Sequence, residues 1–268
     1  MTSYKFKNMI PKIIHYCWFG EQEKSNLIKE CIASWKKYLK GYEFIEWTEV
    51  NSPLDIDYAR QAYEAQSWAF VSDYVRCHAL YNYGGIYLDT DMLLLKPFPL
   101  YNNISFFSGL ETAEYVSFGA VGVMKGHPVI ERLLNYYHSQ SFILGQKVTI
   151  PVLLTKYLIE EECIDEQLRT LKNDILIYSQ EVFYAFPSHE SHEVERYKSY
   201  ITTNSIAVHL WNGSWVDEFK TLREGQLWKG FKQFCKRHYQ QGWQSLQYYR
   251  DTFWLLRQGL YKKIKGES

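Results

Sequence analysis

The chain has 268 residues, of which 46% are hydrophobic and 18% aromatic, and its 30 basic and 30 acidic side chains cancel at neutral pH. This length and apolar content suffice for one sizeable α/β domain with an appendage, and the balanced charge excludes a general attraction to nucleic acid. We expect no membrane-spanning helix and no signal peptide, because no apolar run approaches about eighteen residues and the N-terminus lacks an apolar core.

Cysteine usage bears on the cellular compartment. The five cysteines are odd in number and form no Cys-x-x-Cys pair. A disulfide framework and a zinc ribbon are therefore both disfavoured. We expect a reducing environment, and hence a cytoplasmic protein.

The first elements along the chain predict a βαβ unit. Residues 11–19 are apolar nearly throughout, which is typical of a central parallel strand. Residues 25–39 carry an apolar stripe at helical spacing behind the N-cap candidate Ser25, and residues 43–47 alternate as a second strand does. We expect a parallel pair with a right-handed crossover. No Gly-x-Gly-x-x-Gly or P-loop follows the first strand, so dinucleotide-binding and P-loop folds are not supported.

The stretch from residue 73 to residue 91 organises the rest of the chain. Asp73 and Arg76 stand three apart in a predicted helix and therefore lie on one helix face. Gly84 and Gly85 follow the last periodic residue, where a left-handed residue commonly ends a helix.

A short buried strand then ends in two carboxylates, Asp89 and Asp91. Residues i and i+2 of a strand project to the same side, and ligand sites of open α/β sheets lie at that carboxyl edge. Two close carboxylates repel each other, a divalent cation relieves the repulsion, and oxygen ligands suit magnesium or manganese. The alternative is an aspartate pair that only caps a turn.

Later elements are predicted from the same patterns. Strands are expected at residues 104–110, 116–124, 175–178 and 205–210, and helices at 58–66, 128–138 and 149–161. Residues 163–202 otherwise give no clear pattern, and His189 and His192 fall in a polar stretch that we expect to be a solvent loop. The last strand leads into His209-Leu-Trp-Asn-Gly-Ser-Trp215.

The C-terminal tail combines basic and aromatic residues at helical spacing. Residues 225–268 hold nine Lys or Arg against two acidic residues. Such helices either pack on the catalytic domain or lie on an anionic membrane, and the two outcomes are compatible.

Ser-Asp-Tyr-Val-Arg at residues 72–76 and Gly-Gly-Ile-Tyr-Leu-Asp-Thr-Asp at residues 84–91 resemble the signature of the family 32 glycosyltransferases. These DXD-containing sugar transferases are related to yeast mannosyltransferases, bacterial capsule enzymes and the glucosyltransferase domains of clostridial toxins. The resemblance runs from about Pro11 to Trp215. It implies a GT-A-type nucleotide-sugar-binding fold, with a mostly parallel central sheet flanked by helices. We divide the chain into a catalytic domain, 1–216, and a helical extension, 217–268.

The resemblance also implies roles at the site. Asp89 and Asp91 hold Mn²⁺ or Mg²⁺, while Asp73 and Arg76 hold hydroxyls of the donor sugar. A histidine or a nearby polar group supplies the last protein ligand to the metal, which leaves His209, Asn212 and Ser214 as candidates, with His209 favoured.

Further residues are expected to bind the nucleotide. By the same resemblance, Trp18 stacks on the base, although a core tryptophan is the alternative, and Tyr87 lines the nucleotide pocket. Ser214 and Trp215 contact the diphosphate, and Asn212 lies beside them. Glu111, after a predicted strand, either faces the sugar site or is a solvated loop acid.

The implied function is a metal-dependent retaining glycosyltransferase. It would move a hexose from a UDP-sugar, such as UDP-Gal, UDP-Glc or UDP-GlcNAc, to a saccharide acceptor. That acceptor would belong to surface polysaccharide synthesis and could be lipid-linked at the inner face of the cell membrane. The alternatives are a non-catalytic nucleotide-sugar- or carbohydrate-binding module, a metal-dependent phosphohydrolase and a toxin-like protein glycosyltransferase.

Overall fold

A computed structural model describes residues 9–20, 23–99, 103–143, 148–212, 222, 227–241 and 246–265. The chain divides into two compact units. The first comprises Met1–Phe142 and Lys147–Asn212, and the second comprises Ile143–Gln146 and Gly213–Ser268. The predicted boundary between residues 216 and 217 lies outside the described residues and stays a prediction.

The strands and helices follow the predicted order closely. The strands are β1 Ile13–Cys17, β2 Glu43–Trp47, β3 Gly85–Leu88, β4 Met92–Leu94, β5 Phe106–Gly109, β6 Ala120–Val123, β7 Ile175–Tyr178 and β8 Ala207–His209. The helices are α1 Asn26–Tyr38, α2 Asp57–Glu64, α3 Trp68–Tyr83, α4 Pro128–Ser139, α5 Ile150–Glu160, α6 Gln180–Phe183, α7 Leu227–Gln241 and α8 Leu246–Lys265. A 3₁₀ segment occupies Ser188–Ser199.

The central sheet has six strands in the order β2-β1-β3-β6-β5-β7. β1 pairs in parallel with both β2 and β3, and β5 pairs in parallel with β7. β6 runs antiparallel to its neighbours β3 and β5. The predicted α/β class with a mostly parallel central sheet is therefore confirmed, as is the parallel pairing of the first βαβ unit.

Helices cover both faces of this sheet because its strands are apolar on both sides. Tyr87 of β3 faces a core built with α2, α3, α4 and α5. Its neighbours Ile86 and Leu88 face a second core, which includes Trp35 of α1 and Phe183 of α6. Among the described residues both faces of the sheet are thus packed, and the strand ends are left as the place for a ligand.

The structure adds elements that the sequence did not indicate. β4 and β8 form a separate two-stranded antiparallel sheet, in which Met92 lies opposite His209. The sequence analysis assigned no strand to the residues of β4, so this pairing was not predicted. Within residues 163–202, β7 confirms the strand expected at residues 175–178, while α6 and the 3₁₀ segment were not predicted.

Both glycines between α3 and β3 are required by the backbone. Gly84 and Gly85 have φ angles of +66° and +106°, a region that favours glycine. A Cβ on Gly84 would lie 2.6 Å from the backbone nitrogen of Lys125, and one on Gly85 would lie 2.6 Å from the carbonyl oxygen of Ile13. The glycine pair thus lets α3 turn directly into the middle of the sheet.

A buried histidine fixes this turn to the first two strands. His15 Nε2 donates to the Gly84 carbonyl at 2.8 Å, and its Nδ1 accepts from Trp47 Nε1 at 3.1 Å. Protonation of Nδ1 would place its N–H against the Trp47 Nε1–H, and the hydrogen bond between the two rings would be lost. Burial lowers the pKa of His15 to about 4, so the neutral form holds the turn.

We expect acid to destabilise the fold through His15. Its folded pKa lies below the ordinary 6.5, so the unfolded state binds the extra proton, and stability falls as pH drops from 6.5 toward 4. The loss amounts to at most about 3 kcal/mol. Urea unfolding across this pH range measures it.

The control is His15→Gln, whose amide can make both hydrogen bonds without titrating. Burial also lowers the pKa of His127 to about 4, so the variant removes only the His15 share of the pH dependence. An equally steep dependence in wild type and variant would contradict this role of His15.

Candidate functional site

The turn after β3 presents Asp89 and Asp91 at the carboxyl edge of the sheet. The Asp89 backbone N–H donates to the Gly119 carbonyl at 2.8 Å, and the Met92 N–H donates to the Asp89 carbonyl at 2.9 Å. The two bonds fix the turn between β3 and β4. The spacing of two residues therefore directs both carboxylates toward one point, as expected.

β8 brings His209 to that point. Its pairing with β4 places His209 opposite Met92, and the Leu210 N–H donates to the Asp91 carbonyl at 3.0 Å. His209 Nε2 lies 3.0 Å from Asp91 Oδ1 and 3.8 Å from Asp89 Oδ2. One donor atom from each of the three side chains lies within 4.8 Å of the others, which makes them a candidate metal site.

The electrostatics of this cluster favour a positive charge. Burial alone would raise the pKa of Asp91, but His209 and the Asn212 backbone N–H, which donates to Asp91 Oδ2 at 2.9 Å, lower it. Burial would lower the pKa of His209, but Asp91 foremost, then Asp89 and Glu111, raise it. Glu111 therefore contributes to the field at this site.

The residues present fit a divalent cation. Two carboxylates and one imidazole form a donor set that Mn²⁺ accepts, and they leave further positions for oxygen ligands from a substrate. His209 Nδ1 is buried and has no hydrogen-bond partner in the described part of the chain. Asp91 favours a proton on Nε2 in the absence of a metal, and a bound cation would displace that proton so that Nε2 serves as a ligand.

Arg76 connects α3 to the same cluster. Its Nη1 lies 3.3 Å from Asp89 Oδ1 and its Nη2 lies 3.4 Å from Asp73 Oδ1. Burial raises the pKa of Asp73 to about 6, with Arg76 opposing the shift and Asp89 adding to it. Asp73, Arg76 and Asp89 therefore form one charged chain.

Tyr87 supports Asp89 from inside the protein. The Arg76 guanidinium lies 4.5 Å from the centre of its ring, and its hydroxyl donates to Asp89 Oδ1 at 3.2 Å. The side chain is only 2% exposed. Tyr87 thus orients Asp89, while its contact with a nucleotide stays a prediction.

The remaining predicted site residues differ in their positions relative to the cluster. Trp18 follows β1, which runs beside β3 with His15 opposite Tyr87, so Trp18 lies at the same edge of the sheet. It is half-buried, and Lys24 Nζ lies 5.1 Å from its ring centre. Asn212 has an exposed side chain and contributes its backbone N–H. Ser214 and Trp215 lie outside the described residues.

Two residues at the site, Gly119 and Trp211, were missed by the sequence analysis. A Cβ on Gly119 would lie 2.7 Å from Asp89 Oδ2 and 2.9 Å from the Tyr184 hydroxyl, so a larger residue there would displace these side chains. Trp211 adopts a φ of +51°, donates from Nε1 to the Phe186 carbonyl at 2.7 Å, and meets the His209 ring edge-on at 4.0 Å. No local pattern marks these positions, because their partners are distant in sequence.

Residues 25–108 match the family described as "Glycosyltransferase sugar-binding region containing DXD motif". The match covers less than half of the chain, and it includes Asp73, Arg76, Asp89 and Asp91. This segment is therefore similar to the sugar-binding region of DXD-type glycosyltransferases. The assignment agrees with the coarser part of the resemblance, while the narrower family 32 assignment stays a prediction.

A curated human protein, alpha-1,4-N-acetylglucosaminyltransferase, is 29% identical in an alignment of 160 residues that covers 55% of this chain. The chain spans only 44% of the human protein's length.

Two solved structures resemble the fold more distantly. PaToxG glycosyltransferase has a TM-score of 0.46 and 21% identity, with 57% of this chain and 70% of that chain covered. A glycosyltransferase involved in the glycosylation of the major capsid of PBCV-1 has a TM-score of 0.43 and 14% identity, with 75% and 94% covered. Nothing about substrate or mechanism follows from likeness at these scores.

We expect Trp211 to position the metal ligands. Trp211→Ala removes the ring that packs against His209. It also removes the indole hydrogen bond to Phe186, which holds the turn from which the Asn212 N–H donates to Asp91. The affinity for Mn²⁺ should fall roughly tenfold or more, as for other residues that orient metal ligands. Trp211→Phe keeps a ring but loses the N–H, and its affinity for Mn²⁺ should lie between those of the wild type and Trp211→Ala. Calorimetric titration with Mn²⁺ measures this.

Trp68→Phe is the matched control, because Trp68 is also half-buried and contacts Gly20 and Tyr63 instead of the cluster. It should leave Mn²⁺ affinity unchanged. Full affinity in a folded Trp211→Ala protein would show that Trp211 has no positioning role.

Proposed function

We propose that this protein is a metal-dependent retaining glycosyltransferase that moves a hexose from a nucleotide-sugar to a saccharide acceptor. One observation carries the proposal. Asp89 and Asp91, which lie within the matched sugar-binding region, meet His209 from a separate strand in a largely buried three-donor cluster. A turn-capping aspartate pair would not need a histidine brought from residue 209 to share its charge.

Asp89, Asp91 and His209 would hold the cation, Mn²⁺ or Mg²⁺. When bound, it would act as a Lewis acid that stabilises the negative charge on the departing nucleoside diphosphate. The Asn212 N–H holds Asp91 Oδ2, and Tyr87 with Arg76 holds Asp89 Oδ1. These bonds set both carboxylates in place before a donor arrives, so little reorganisation is required during transfer.

Asp73 and Arg76 would bind hydroxyl groups of the donor sugar. The guanidinium offers several N–H donors, and the Asp73 carboxylate, with a pKa of about 6, is largely ionised at neutral pH and accepts. Because Arg76 also contacts Asp89, the sugar pocket and the metal site are adjacent. The two sites have to be adjacent, because the donor sugar and its diphosphate are joined by one bond and must occupy both sites at once for transfer.

Retention follows from the family resemblance, and the charge pairing supports a non-covalent course. Asp73 and Asp89 each face Arg76, and Asp91 faces His209. Carboxylates with cationic partners stabilise charge better than they attack a sugar carbon. Departure of the diphosphate and attack of the acceptor hydroxyl would occur on the same sugar face, which gives an α-linked product from an α-linked donor.

UDP-sugars are the proposed donors. The name of the human relative specifies transfer of N-acetylglucosamine, so UDP-GlcNAc joins UDP-Gal and UDP-Glc in the first tests. The proposed acceptor is a saccharide of surface polysaccharide synthesis, carried on a lipid at the cytoplasmic face of the membrane. A thermal-shift screen of nucleotide-sugars with and without Mn²⁺ selects the donor.

We expect Asp91→Asn to abolish metal-dependent turnover without unfolding the protein. The amide keeps the shape of Asp91 but loses its charge, so Mn²⁺ binds weakly and Mn²⁺-dependent hydrolysis of the selected nucleotide-sugar falls roughly 100-fold or more. Hydrolysis, followed by release of free sugar, needs no knowledge of the acceptor.

Asp55→Asn is the control, since Asp55 is exposed and lies before α2, outside the cluster. It should retain wild-type hydrolysis. Normal turnover by Asp91→Asn would refute the metal role. Tight Mn²⁺-dependent nucleotide-sugar binding by the wild type, with neither hydrolysis nor transfer, would favour a non-catalytic binding module.

We expect Trp18→Ala to weaken nucleotide binding. Stacking of a base on an aromatic ring contributes about 1–3 kcal/mol, which is roughly 5- to 150-fold in Kd. Titration with UDP in the presence of Mn²⁺ measures the loss. Tyr83→Ala removes an exposed ring at the C-terminal end of α3, before β3 begins, and this variant should bind UDP normally. Equal affinity of wild type and Trp18→Ala would exclude the stacking role.

A further inference from the structure

The outward face of α8 is apolar and aromatic where a solvated helix would be polar. Four large side chains are more than half exposed, and at 100° per residue they fall on one side of the helix. They are Phe253 at 56%, Trp254 at 58%, Leu260 at 53% and Tyr261 at 54%. Arg250 and Arg257 lie in the same sector and are exposed.

The opposite side of α8 is occupied by α7, which fixes the rotation of the helix. Thr252 is fully buried, and a Cβ on Gly259 would lie 2.2 Å from Leu227 Cδ2. The Phe234 ring of α7 lies 6.1 Å from that of Tyr249. The exposed aromatic face therefore cannot turn inward without loss of this packing.

α7 extends the exposed surface. Trp228 is 75% exposed and Phe231 is 37% exposed, one helical turn apart, with the exposed residues Lys229 and Lys232 beside them. Clusters of large apolar side chains in a polar rim mark interaction surfaces on proteins. No described helix is long and apolar enough to cross a membrane.

We propose that α7 and α8 bind the surface of an anionic phospholipid bilayer. The aromatic rings would enter the boundary between headgroups and acyl chains, where amphipathic rings are favoured, and the arginines would contact lipid phosphates. Residues 225–268 carry nine Lys or Arg against two acids, and an anionic surface attracts such a segment.

This charge also argues against a second copy of the chain as the occupant. A two-fold interface joins the same patch on both subunits, so it would bring the arginines of both copies, Arg250 and Arg257, into one interface. Like charges placed together disfavour association, whereas an anionic lipid surface complements them.

Co-sedimentation of the full chain with vesicles tests the proposal. We expect binding to phosphatidylcholine vesicles that contain phosphatidylserine, and little binding to phosphatidylcholine alone or at high salt. Phe253→Ala with Trp254→Ala, and separately Arg250→Gln with Arg257→Gln, should each lower the partition coefficient roughly tenfold or more. Neither nucleotide nor Mn²⁺ is needed, so this test is independent of the transferase activity.

Matched controls separate the surface from general effects. Lys29→Gln with Lys40→Gln removes the same charge from exposed positions on and after α1, and Leu171→Ala removes an apolar side chain that is 56% exposed. Both should bind vesicles as the wild type does. Equal loss in the controls and the α8 variants would overturn the proposal. Absence of binding by the folded wild type at low salt would also overturn it, as would concentration-dependent dimerisation abolished by Phe253→Ala with Trp254→Ala.

Discussion

The structure of the site depends on holding three carboxylates together in a largely buried corner. Unpaired, Asp73, Asp89 and Asp91 would repel one another strongly, since burial removes the screening that water supplies. Arg76 lies between the first two and His209 beside the third, so the apo cluster has two partners of opposite charge. The field that holds His209 is also the field that would attract a divalent cation. A single arrangement therefore stabilises the fold locally and defines what can bind.

Asp89 is the residue through which the two halves of the cluster are joined. One of its carboxylate oxygens accepts from Tyr87 and faces Arg76, and the other faces His209. The sugar-facing pair on α3 and the metal-facing pair after β3 thus share one side chain. Gly119 allows the strand β6 to approach Asp89 this closely. Under the proposed function, a movement of the sugar-facing pair would shift Asp89 and therefore change the metal site, and the reverse would also hold.

The sequence predicted the parts of this arrangement that depend on local spacing. Period-2 and period-3.6 patterns located most strands and helices, and the positions of Asp89 and Asp91 followed from the end of a strand. The sequence could not give the β4–β8 pairing that sets His209 opposite Met92, because that register joins segments more than 100 residues apart. It named His209 only through resemblance. Trp211 and Gly119 act through contacts that no spacing reveals.

The two compact units illustrate different uses of aromatic residues, which is why composition alone could not assign them. Tyr87 and Trp35 are buried and act by packing or by a single polar atom. Trp228 and Trp254 are exposed, at 75% and 58% of their surface. Burial distinguishes the two groups where sequence does not, since both recur at helical or strand spacing. Under the proposal for α7 and α8, an anionic bilayer would displace water from this exposed aromatic surface and would supply both the apolar boundary and the counter-charge.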